Sequence, residues 1–424
     1  MIDIKKILEE KEATKQALLK RLSEEEFDLD SIEELYLRKK ELQQQFDTKR
    51  AQQNKYNDKM AIMDKSSQEF KDLINELKKK SEEVKKLEAD LRETEKELTS
   101  KLEVLPNLPD EDVPAGGKEN NEDIKVVGEK PTFNFEIKDH TRLAENLGLL
   151  DMERASKISG SNFSVYTGIG ARLEWALINF FIDEHIQAGY EMIIPPNLVV
   201  RESAYTAGQL PKFEEDVYWT KEGLCLIPTA ETVLTNIYRD EILDEEDLPK
   251  KFFAYTPCYR KEAGSYRANE KGLIRMHQFN KVEMYQFTTE EGSEEALEEL
   301  RGRAENLVEK LGLHYKTVKL AAGDCSSVAA KTYDVEVWIP TIEQYYEVSS
   351  ISNVRDYQAR RGNMRYRTEG GEIRYLHTLN ASGLATSRLM VAMLESYQQQ
   401  DGSIVIPEVL RKYLGGLEKI EAKN

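Results

Sequence analysis

Apolar side chains recur every seven residues through the first hundred positions of this chain of 424 residues. One run comprises Phe70, Leu77, Val84, Leu91 and Leu98, and an earlier one contains Leu35, Leu42, Tyr56 and Met63 with a polar break at Lys49. Sustained heptads are typical of helices that supercoil. Between the runs, MDKSSQ at 63–68 offers Asp and Ser, which can turn the chain and cap a new helix. We therefore predict an antiparallel helical hairpin over residues 1–104, although a dimerisation coiled coil or a spacer would show the same pattern.

The helical pattern stops at residues 105–132. Pro106, Pro109 and Pro114 cannot lie inside a helix, and the Gly, Asn and Asp residues among them favour turns. We predict a linker over 105–132 that separates a helical domain (1–104) from a second domain (133–424).

The second domain mixes the periods of helices and strands. Amphipathic patterns predict helices at 171–188 and 294–311. Extended runs lie at 225–227, 252–262, 274–287, 316–320, 333–339 and 345–350, and a strand, a turn at 381–383 and a helix follow. Because the strands are joined by short turns, antiparallel pairing is favoured. The expected fold is α+β, with a largely antiparallel sheet flanked by helices.

Composition narrows the class of protein. The formal net charge is −18 and the pI about 5, which argues against generic binding of nucleic acid and favours a small-molecule enzyme. No run of 18 apolar residues and no signal peptide is visible, so we expect no membrane span. The three cysteines are scattered, as expected for reduced thiols in a cytoplasmic protein. The nucleotide-binding patterns G-x-G-x-x-G after a strand and G-x-x-x-x-G-K-[ST] are absent.

A cationic segment, RKEAGSYRANEKGLIRMHQFNKVEMYQF from Arg260 to Phe287, stands out in this acidic chain. If its two extended runs pair, one face of the sheet presents Arg260, Glu262, Arg275, His277, Phe279, Lys281 and Glu283. Unpaired charges are costly in a core, so this face meets solvent or lines a polar cleft. Arginine forks match phosphate oxygens and a flat Phe can stack on a base, which suits ATP held without a P-loop. A solvated face with cross-strand ion pairs fits equally well.

Other segments offer further polar groups. Thr229 and Glu231 in LIPTAE could bind a small cationic or hydroxylated group, or could belong to an exposed strand end. Glu347 and Ser350 could hold Mg²⁺, but a regular strand places residues three apart on opposite faces, so the strand must bulge or end there. Arg388 lies early in a predicted helix, away from its apolar stripe, and is free to face a ligand.

Taken together, the motifs resemble those of class II aminoacyl-tRNA synthetases, and closely those of bacterial-type seryl-tRNA synthetases. GYEMIIPP resembles motif 1 of the class, YRKEAGS…GLIRMHQFNKVEM resembles motif 2, and NASGLATSRLMVAMLE resembles motif 3. The signals specific to the serine enzymes are LPNLPDEDVP, GQLPKFEED, LIPTAE, KTYDVEVW and VSSISNVRDYQARR. The resemblance covers nearly the whole chain, including the long N-terminal hairpin.

The resemblance implies a reaction. L-serine and ATP would give seryl-adenylate and pyrophosphate, and serine would then pass to the 3′ end of tRNA(Ser). It further implies a homodimer, an ATP-bound Mg²⁺ and a helical arm that holds the long variable arm of the tRNA. Candidate contacts on the arm are the lysines at 78–80 and 85–86.

The resemblance also implies roles for individual residues. Arg260 would hold the α-phosphate, Phe279 would stack on adenine, and Arg388 would cover the other face of adenine and reach the γ-phosphate; Arg260 and Arg388 are the implied catalytic residues. The implied ATP site comprises Arg260, Lys261, Glu262, Arg275, Phe279, Glu347, Val348, Ser349, Ser350 and Arg388. The implied serine site comprises Thr229, Ala230, Glu231, Glu283, Asn380 and Ser382. Glu347 and Ser350 are the implied Mg²⁺ ligands.

Three other interpretations remain open. A related ligase could load an amino acid onto a carrier protein, but such ligases lack the helical arm. A catalytically dead relative could act as a scaffold, which the loss of Arg260, Glu262 or Arg388 would favour; all three are present. The motif 2 loop reads GSYRANEKG where GSAGRDTRG is usual, so a specialised second copy is an alternative to a housekeeping enzyme.

Overall fold

A computed structural model of the chain describes residues 1–262 and 272–422. The altered motif 2 loop at 264–272 lies almost entirely outside the described residues. The chain divides into two compact units, Ile2–Pro106 and Asn107–Asn424, and Met1 belongs to the second.

The first unit is helical. Its elements are α1 (Ile4–Glu9), α2 (Lys11–Leu19), α3 (Leu29–Ala61) and α4 (Gln68–Glu103). Ser67 caps α4 by accepting a hydrogen bond from the backbone N–H of Phe70, as the Ser and Asp residues of the turn predicted. Salt bridges join Lys39 to Glu95 at 3.1 Å and Lys49 to Glu83 at 2.7 Å. The lysine partner has the higher residue number in the pair where the glutamate partner has the lower one, so α3 and α4 are antiparallel. The predicted hairpin is confirmed.

The heptads identify the apolar seam better in α4 than in α3. Val84, Leu91 and Leu98 are buried as the seven-residue step predicts. In α3 the buried side chains are Leu29, Ile32 and Phe46, whereas Leu35 and Leu42 are only partly buried. Ile32 precedes Leu35 by three residues and Phe46 follows Leu42 by four, so Ile32 and Phe46 occupy the second apolar position of the heptad.

The second unit is built on an eight-stranded sheet in the order β1-β8-β9-β10-β13-β7-β6-β2. These strands are β1 (Glu122–Val127), β2 (Glu191–Ile193), β6 (Lys250–Tyr259), β7 (Gln278–Thr288), β8 (Tyr315–Lys319), β9 (Lys331–Ile339), β10 (Gln344–Arg355) and β13 (His377–Ala385). All neighbours are antiparallel except β2 and β6. Helices α7 (Gly168–Gln187), α10 (Ser293–Lys310) and α12 (Thr386–Ser396) contribute many residues to the apolar core that covers the sheet. The α+β prediction is confirmed.

Shorter elements surround the sheet. The helices are α5 (His140–Leu147), α6 (Met152–Ser159), α8 (Arg201–Thr206), α9 (Glu231–Leu234), α11 (Tyr357–Arg361) and α13 (Glu408–Arg411). The strands are β3 (Leu198–Val200), β4 (Leu224–Leu226), β5 (Ile242–Asp244), β11 (Arg365–Arg367), β12 (Ile373–Tyr375), β14 (Ile404–Val405) and β15 (Lys419–Ile420), in three small sheets. Within the described ranges, none of the helices combines the length and apolar character needed to span a bilayer.

The structure differs from the sequence prediction in three places. Part of the expected linker, 105–132, is the edge strand β1, which pairs with β8. The expected strand at 274–287 starts only at Gln278, because Gly272–Ile274 form a 3-10 turn. The turn expected at 381–383 lies inside β13, where Gly383 serves close packing: a Cβ there would lie 2.5 Å from Nε2 of His185. That His185 nitrogen instead bonds the Gly383 carbonyl at 2.7 Å.

Candidate active site

One face of the sheet opens into a cavity of about 410 Å³. It is lined by Thr229, Glu231, Arg260, Glu262, Glu283, Glu347, Ser350, Asn380 and Ser382, all of them predicted site residues. Side chains that were not predicted also line it, namely Gln209, Phe213, Asp216, Val217, Pro228, Lys281, Ser326, Val328 and Ser352. Much of the predicted constellation therefore lies around a single space.

Strand register explains how distant segments meet there. On β7, Phe279, Lys281 and Glu283 alternate with residues of the other face. Glu283 pairs with Ser382 of β13 on one side and with Ala254 of β6 on the other. The central strand thus brings motif 2 and motif 3 residues to one surface.

Glu283 is an anchored anion on the wall of the cavity. Its side chain is fully buried, and its Oε2 lies 2.6 Å from Nζ of Lys281. Asn380 donates a hydrogen bond to Oε1 at 3.1 Å, and Ser382 donates one to Oε2 at 3.4 Å. A buried carboxylate needs such partners, and here one ammonium and two neutral donors supply them.

Lys281 connects this anion to the LIPTAE segment. Its Nζ donates a hydrogen bond to Oγ1 of Thr229 at 2.8 Å, and the backbone N–H of Glu231 donates to the same oxygen at 3.2 Å. The Thr229 oxygen thus accepts two hydrogen bonds, so its own proton is available as a donor to another group.

Glu231 is the second carboxyl group of the cavity. Gln358 donates a hydrogen bond to its Oε1 at 2.8 Å. Although Glu231 keeps some accessible surface, burial of its carboxyl group, and then the charge of Glu283, raise its pKa to about 7. Its charge therefore changes near neutral pH.

Cationic and aromatic groups lie next to one another at Arg260, which lines the cavity, whereas the predicted ATP residues Phe279, Arg275 and Arg388 are not among the lining residues. Arg260 follows the last residue of β6, and its Cζ lies 5.3 Å from the ring centroid of Phe279. Arg275 forms an ion pair with Glu262. Arg388, near the start of α12, donates hydrogen bonds to the carbonyl oxygens of Ile274 at 3.2 Å and Glu347 at 3.0 Å. A guanidinium group and a phenyl ring this close together can receive a phosphate and a flat base.

The bulge required by the Glu347 and Ser350 prediction is present. Glu347 of β10 pairs with Glu336 and Ser349 with Val335, so the register shifts by one residue between them. An extra residue in one strand returns the following side chains to the face they would otherwise leave. Glu347 and Ser350 consequently line the same cavity.

Asp334 of β9 lies behind this bulge, opposite Ser350. Burial and then the charge of Glu347 raise the pKa of Asp334 well above its ordinary value, while a hydrogen bond with Ser350 opposes that rise. Its Oδ1 is buried and has no hydrogen-bond partner among the residues that the structure describes. Oxygen ligands such as carboxylates and hydroxyls are those that Mg²⁺ prefers. The acidic group formed by Asp334, Glu347 and Ser350 therefore fits such an ion.

Some predicted site residues point away from the cavity. Ala230 and Val348 are buried in apolar clusters, and the Ser349 hydroxyl donates a hydrogen bond to the Ser382 carbonyl at 2.5 Å. The Lys261 side chain is exposed, with Nζ 5.7 Å from the ring centroid of Tyr218. Side-chain contacts of these four with a ligand in the cavity would require rearrangement.

The prediction missed Lys281, Gln358 and Asp334 as site residues. Strand alternation placed Lys281 on the cationic face, which was a usable signal for a role there. Asp334 lies within KTYDVEVW and Gln358 within VSSISNVRDYQARR, but their contacts depend on pairing across the sheet and on a separate helix. No spacing rule reveals such contacts.

Family models match both units. The model of the seryl-tRNA synthetase N-terminal domain matches residues 1–109, and that of the tRNA synthetase class II core domain (G, H, P, S and T) matches residues 212–397. The second match contains the predicted serine and ATP residues, and the first contains the helical hairpin.

Relatives match over almost their full length. Serine–tRNA ligase 2 of Clostridium acetobutylicum is 50% identical, with 98% of this chain and 99% of the relative covered. Serine–tRNA ligase of Caldicellulosiruptor bescii is 48% identical at the same coverage. The crystal structure of seryl-tRNA synthetase from Pyrococcus horikoshii complexed with ATP superposes with a TM-score of 0.90 at 34% identity, covering 100% of both chains. The resemblance found in the sequence is thus confirmed, and the chain belongs to the seryl-tRNA synthetases, a family of class II aminoacyl-tRNA synthetases.

Proposed function

We propose that the cavity beside β7 is where this serine–tRNA ligase binds ATP and L-serine and joins them as seryl-adenylate. One observation carries the assignment: a single cavity is lined by a carboxyl pair, Glu231 and Glu283, and by Arg260, whose Cζ lies 5.3 Å from the ring centroid of Phe279. The first pair suits an ammonium and a hydroxyl group, and the second suits a phosphate and a base.

The serine end is built for a small polar amino acid. Glu231 and Glu283 receive the ammonium and hydroxyl groups, with Thr229, Asn380 and Ser382 as neighbouring polar contacts. A site that hydrogen-bonds a hydroxyl rejects an analogue lacking it by about 10⁴-fold, because its buried polar groups would be left unpaired. Alanine is therefore excluded strongly.

The ATP end needs cations rather than an enzyme nucleophile. A carboxylate oxygen of serine attacks the α-phosphorus in line, the bond to the bridging oxygen breaks, and pyrophosphate leaves with the electron pair. Arg260 faces the α-phosphate, where charge shifts during this displacement, and Arg388 reaches the outer phosphates. Preorganised cations of this kind stabilise the charge that develops in the transition state.

Glu347 and Ser350 would hold an ATP-bound Mg²⁺ at the bulge of β10. When bound, that ion neutralises phosphate charge and fixes the triphosphate geometry. Arg388 lies beside these residues, with its Nη1 3.6 Å from Oε2 of Glu347. The Asp334 carboxyl group behind them contributes a hydrogen bond that orients the Ser350 hydroxyl.

The second step transfers serine from the adenylate to the 3′ end of tRNA(Ser), with release of AMP. We assign residues 1–104 as the arm that holds this tRNA, which reconciles a net charge of −18 with a nucleic-acid partner. Local lysines on α4, at 78–80 and 85–86, supply cations for phosphates.

The working form is assigned as a cytoplasmic homodimer. Trp175 and Ile186 of α7 are exposed, as is Ile194 of motif 1 just after β2, which is 86% exposed. Large exposed apolar side chains are the kind of surface that a partner subunit can cover. The three cysteines are buried free thiols, in keeping with a reducing compartment.

ATP–pyrophosphate exchange measured with each of the twenty amino acids tests the assignment. We expect serine to support exchange far above all others, with alanine near background. A different best substrate would refute the serine pocket, and exchange with none would favour a scaffold function.

A further inference from the structure

We propose that Gln358 is a positioning residue that holds the Glu231 carboxylate in the orientation needed to receive serine. The inference rests on the proposed role of Glu231 in the serine pocket. Gln358 belongs to the short helix α11, does not line the cavity and is fully buried.

All four hydrogen-bonding positions of the Gln358 amide are occupied. Its Nε2 donates to Oε1 of Glu231 at 2.8 Å and to the carbonyl of Ala207 at 3.0 Å. Its Oε1 accepts from the hydroxyl groups of Tyr285 and Thr378, each at 2.8 Å. A glutamine offers two donors and two acceptor lone pairs, so this side chain is completely satisfied.

This arrangement fixes which end of the amide faces Glu231. Ala207 presents a carbonyl, which can only accept, so the NH₂ group must lie on that side. Tyr285 and Thr378 are themselves fully buried, so they cannot swing away to accommodate a flipped amide. Gln358 is thereby held as a donor towards Glu231, and a rotated amide would leave buried groups unpaired.

Gln358 affects the cavity through its hydrogen bond to one oxygen atom of Glu231. Because Oε1 of Glu231 is engaged by Gln358, the rotation of the carboxyl group is restricted, and the same side chain still lines the cavity. Tyr285 and Thr378 lie on β7 and β13, the strands that also carry Glu283, Asn380 and Ser382. Gln358 thus sets Glu231 relative to the other half of the serine pocket.

The test compares KM for serine with KM for ATP in the exchange reaction. Gln358→Glu keeps the shape but replaces the donor by an acceptor, and Gln358→Met removes all four hydrogen bonds. We expect each to raise the serine KM about tenfold, the effect of losing one buried hydrogen bond to a charged group. The ATP KM should stay within about twofold, because the ATP groups do not contact Gln358. A parallel rise of both constants would overturn the proposal.

A matched control variant and a double-mutant cycle distinguish the positioning role from a general packing effect. Gln286 is equally buried on the opposite face of β7, so Gln286→Met should leave the serine KM unchanged. If Gln358 acts through Glu231, Gln358→Met should change the serine KM little in a Glu231→Gln background. Additive effects would contradict the proposal.

Different results would refute the proposed role of Glu231 and the positioning role of Gln358. If Glu231→Gln leaves the serine KM unchanged, the proposed role of Glu231 is wrong; if it raises the KM while Gln358→Glu does not, only the positioning role is wrong. Should both Gln358 variants fail to fold, Tyr285→Phe deletes only one hydroxyl that fixes the amide. That variant should raise the serine KM about threefold, and an unchanged value would overturn the inference.

Discussion

Nζ of Lys281 lies 2.6 Å from Oε2 of Glu283, and the side chains are only 7% and 0% exposed. They are two residues apart on one strand, so the pleat itself places them side by side. The pair sits on the cavity wall, where the same ammonium also holds Thr229. A charge that is removed from water in this way depends on its partner.

The first prediction concerns this pair. Lys281→Met should lower the free energy of unfolding by about 3–5 kcal/mol, because Glu283 would remain buried without its counter-charge. Adding Glu283→Gln should restore part of the loss, and denaturant unfolding measures both. As a control, Lys250→Met removes a partly exposed pair with Asp247 and should cost less than about 1 kcal/mol. Equal losses of unfolding free energy for Lys281→Met and Lys250→Met would show that the buried pair stabilises the fold no more than the partly exposed pair does.

The second prediction concerns pH and Glu231. Its pKa of about 7 in the fold lies above the ordinary 4.5, so the folded protein binds this proton more tightly than the unfolded chain does. Ionisation of Glu231 therefore destabilises the fold. The loss of stability is absent below pH 4.5 and grows as the pH rises from 4.5 to about 7. The difference between the folded and unfolded pKa values corresponds to a loss of at most about 3 kcal/mol in the free energy of unfolding. The loss is smaller where water in the cavity solvates the carboxylate.

Glu231→Gln should accordingly raise the unfolding temperature at pH 8 and leave it nearly unchanged at pH 4.5. Thermal unfolding of both proteins at the two pH values provides the measurement. Serine-dependent exchange should fall in the same variant, because the carboxylate proposed to receive the substrate is gone. A variant that is less stable than the parent at pH 8 would argue that the carboxylate is well solvated.

The third prediction concerns the bulge of β10. Glu347→Gln and Ser350→Ala should each raise the Mg²⁺ concentration needed for half-maximal exchange by about tenfold or more, the usual effect of damaging a metal site. Exposed Glu372 supplies a matched control, since Glu372→Gln removes a carboxylate that is not among the lining residues of the cavity. An unchanged Mg²⁺ requirement in both bulge variants would place the ion elsewhere.

About half of the residues that line the cavity could be predicted, some because strand alternation is a local property and others, such as Asn380 and Ser382, only from the resemblance. Lys281 and Glu283 share a face by spacing alone, and the fold class followed from the order of the extended runs. Glu347 and Ser350 could be tied together only conditionally, because a one-residue register shift depends on the partner strand and not on the spacing itself.

Contacts that cross between elements could not be predicted. The turn expected at Gly383 was wrong because glycine there relieves a clash with His185 of α7, a contact made 198 positions away in sequence. Gln358 was missed for the same reason, since its four hydrogen-bond partners come from four other segments of the chain. Such arrangements are set by tertiary packing, which overrides local turn preference.

The last prediction concerns the helical arm. Lys49 and Glu83 face each other at 2.7 Å, so a short Gly-Asn-Gly loop can replace residues 50–82 without disturbing the antiparallel register below. Serine-dependent exchange should remain within about twofold, because the cavity lies wholly in the unit Asn107–Asn424. Charging of tRNA(Ser) should fall by at least about tenfold, because phosphate contacts of the removed lysines are lost.

Replacing the lysines at 78–80 by alanine in the full-length arm separates charge from length. If phosphate contacts dominate, this variant should lose much of the charging activity and show a weaker dependence of tRNA binding on salt. If instead the shortened arm charges tRNA(Ser) at the full rate, residues 50–82 are a spacer, and the tRNA must be held by other surfaces.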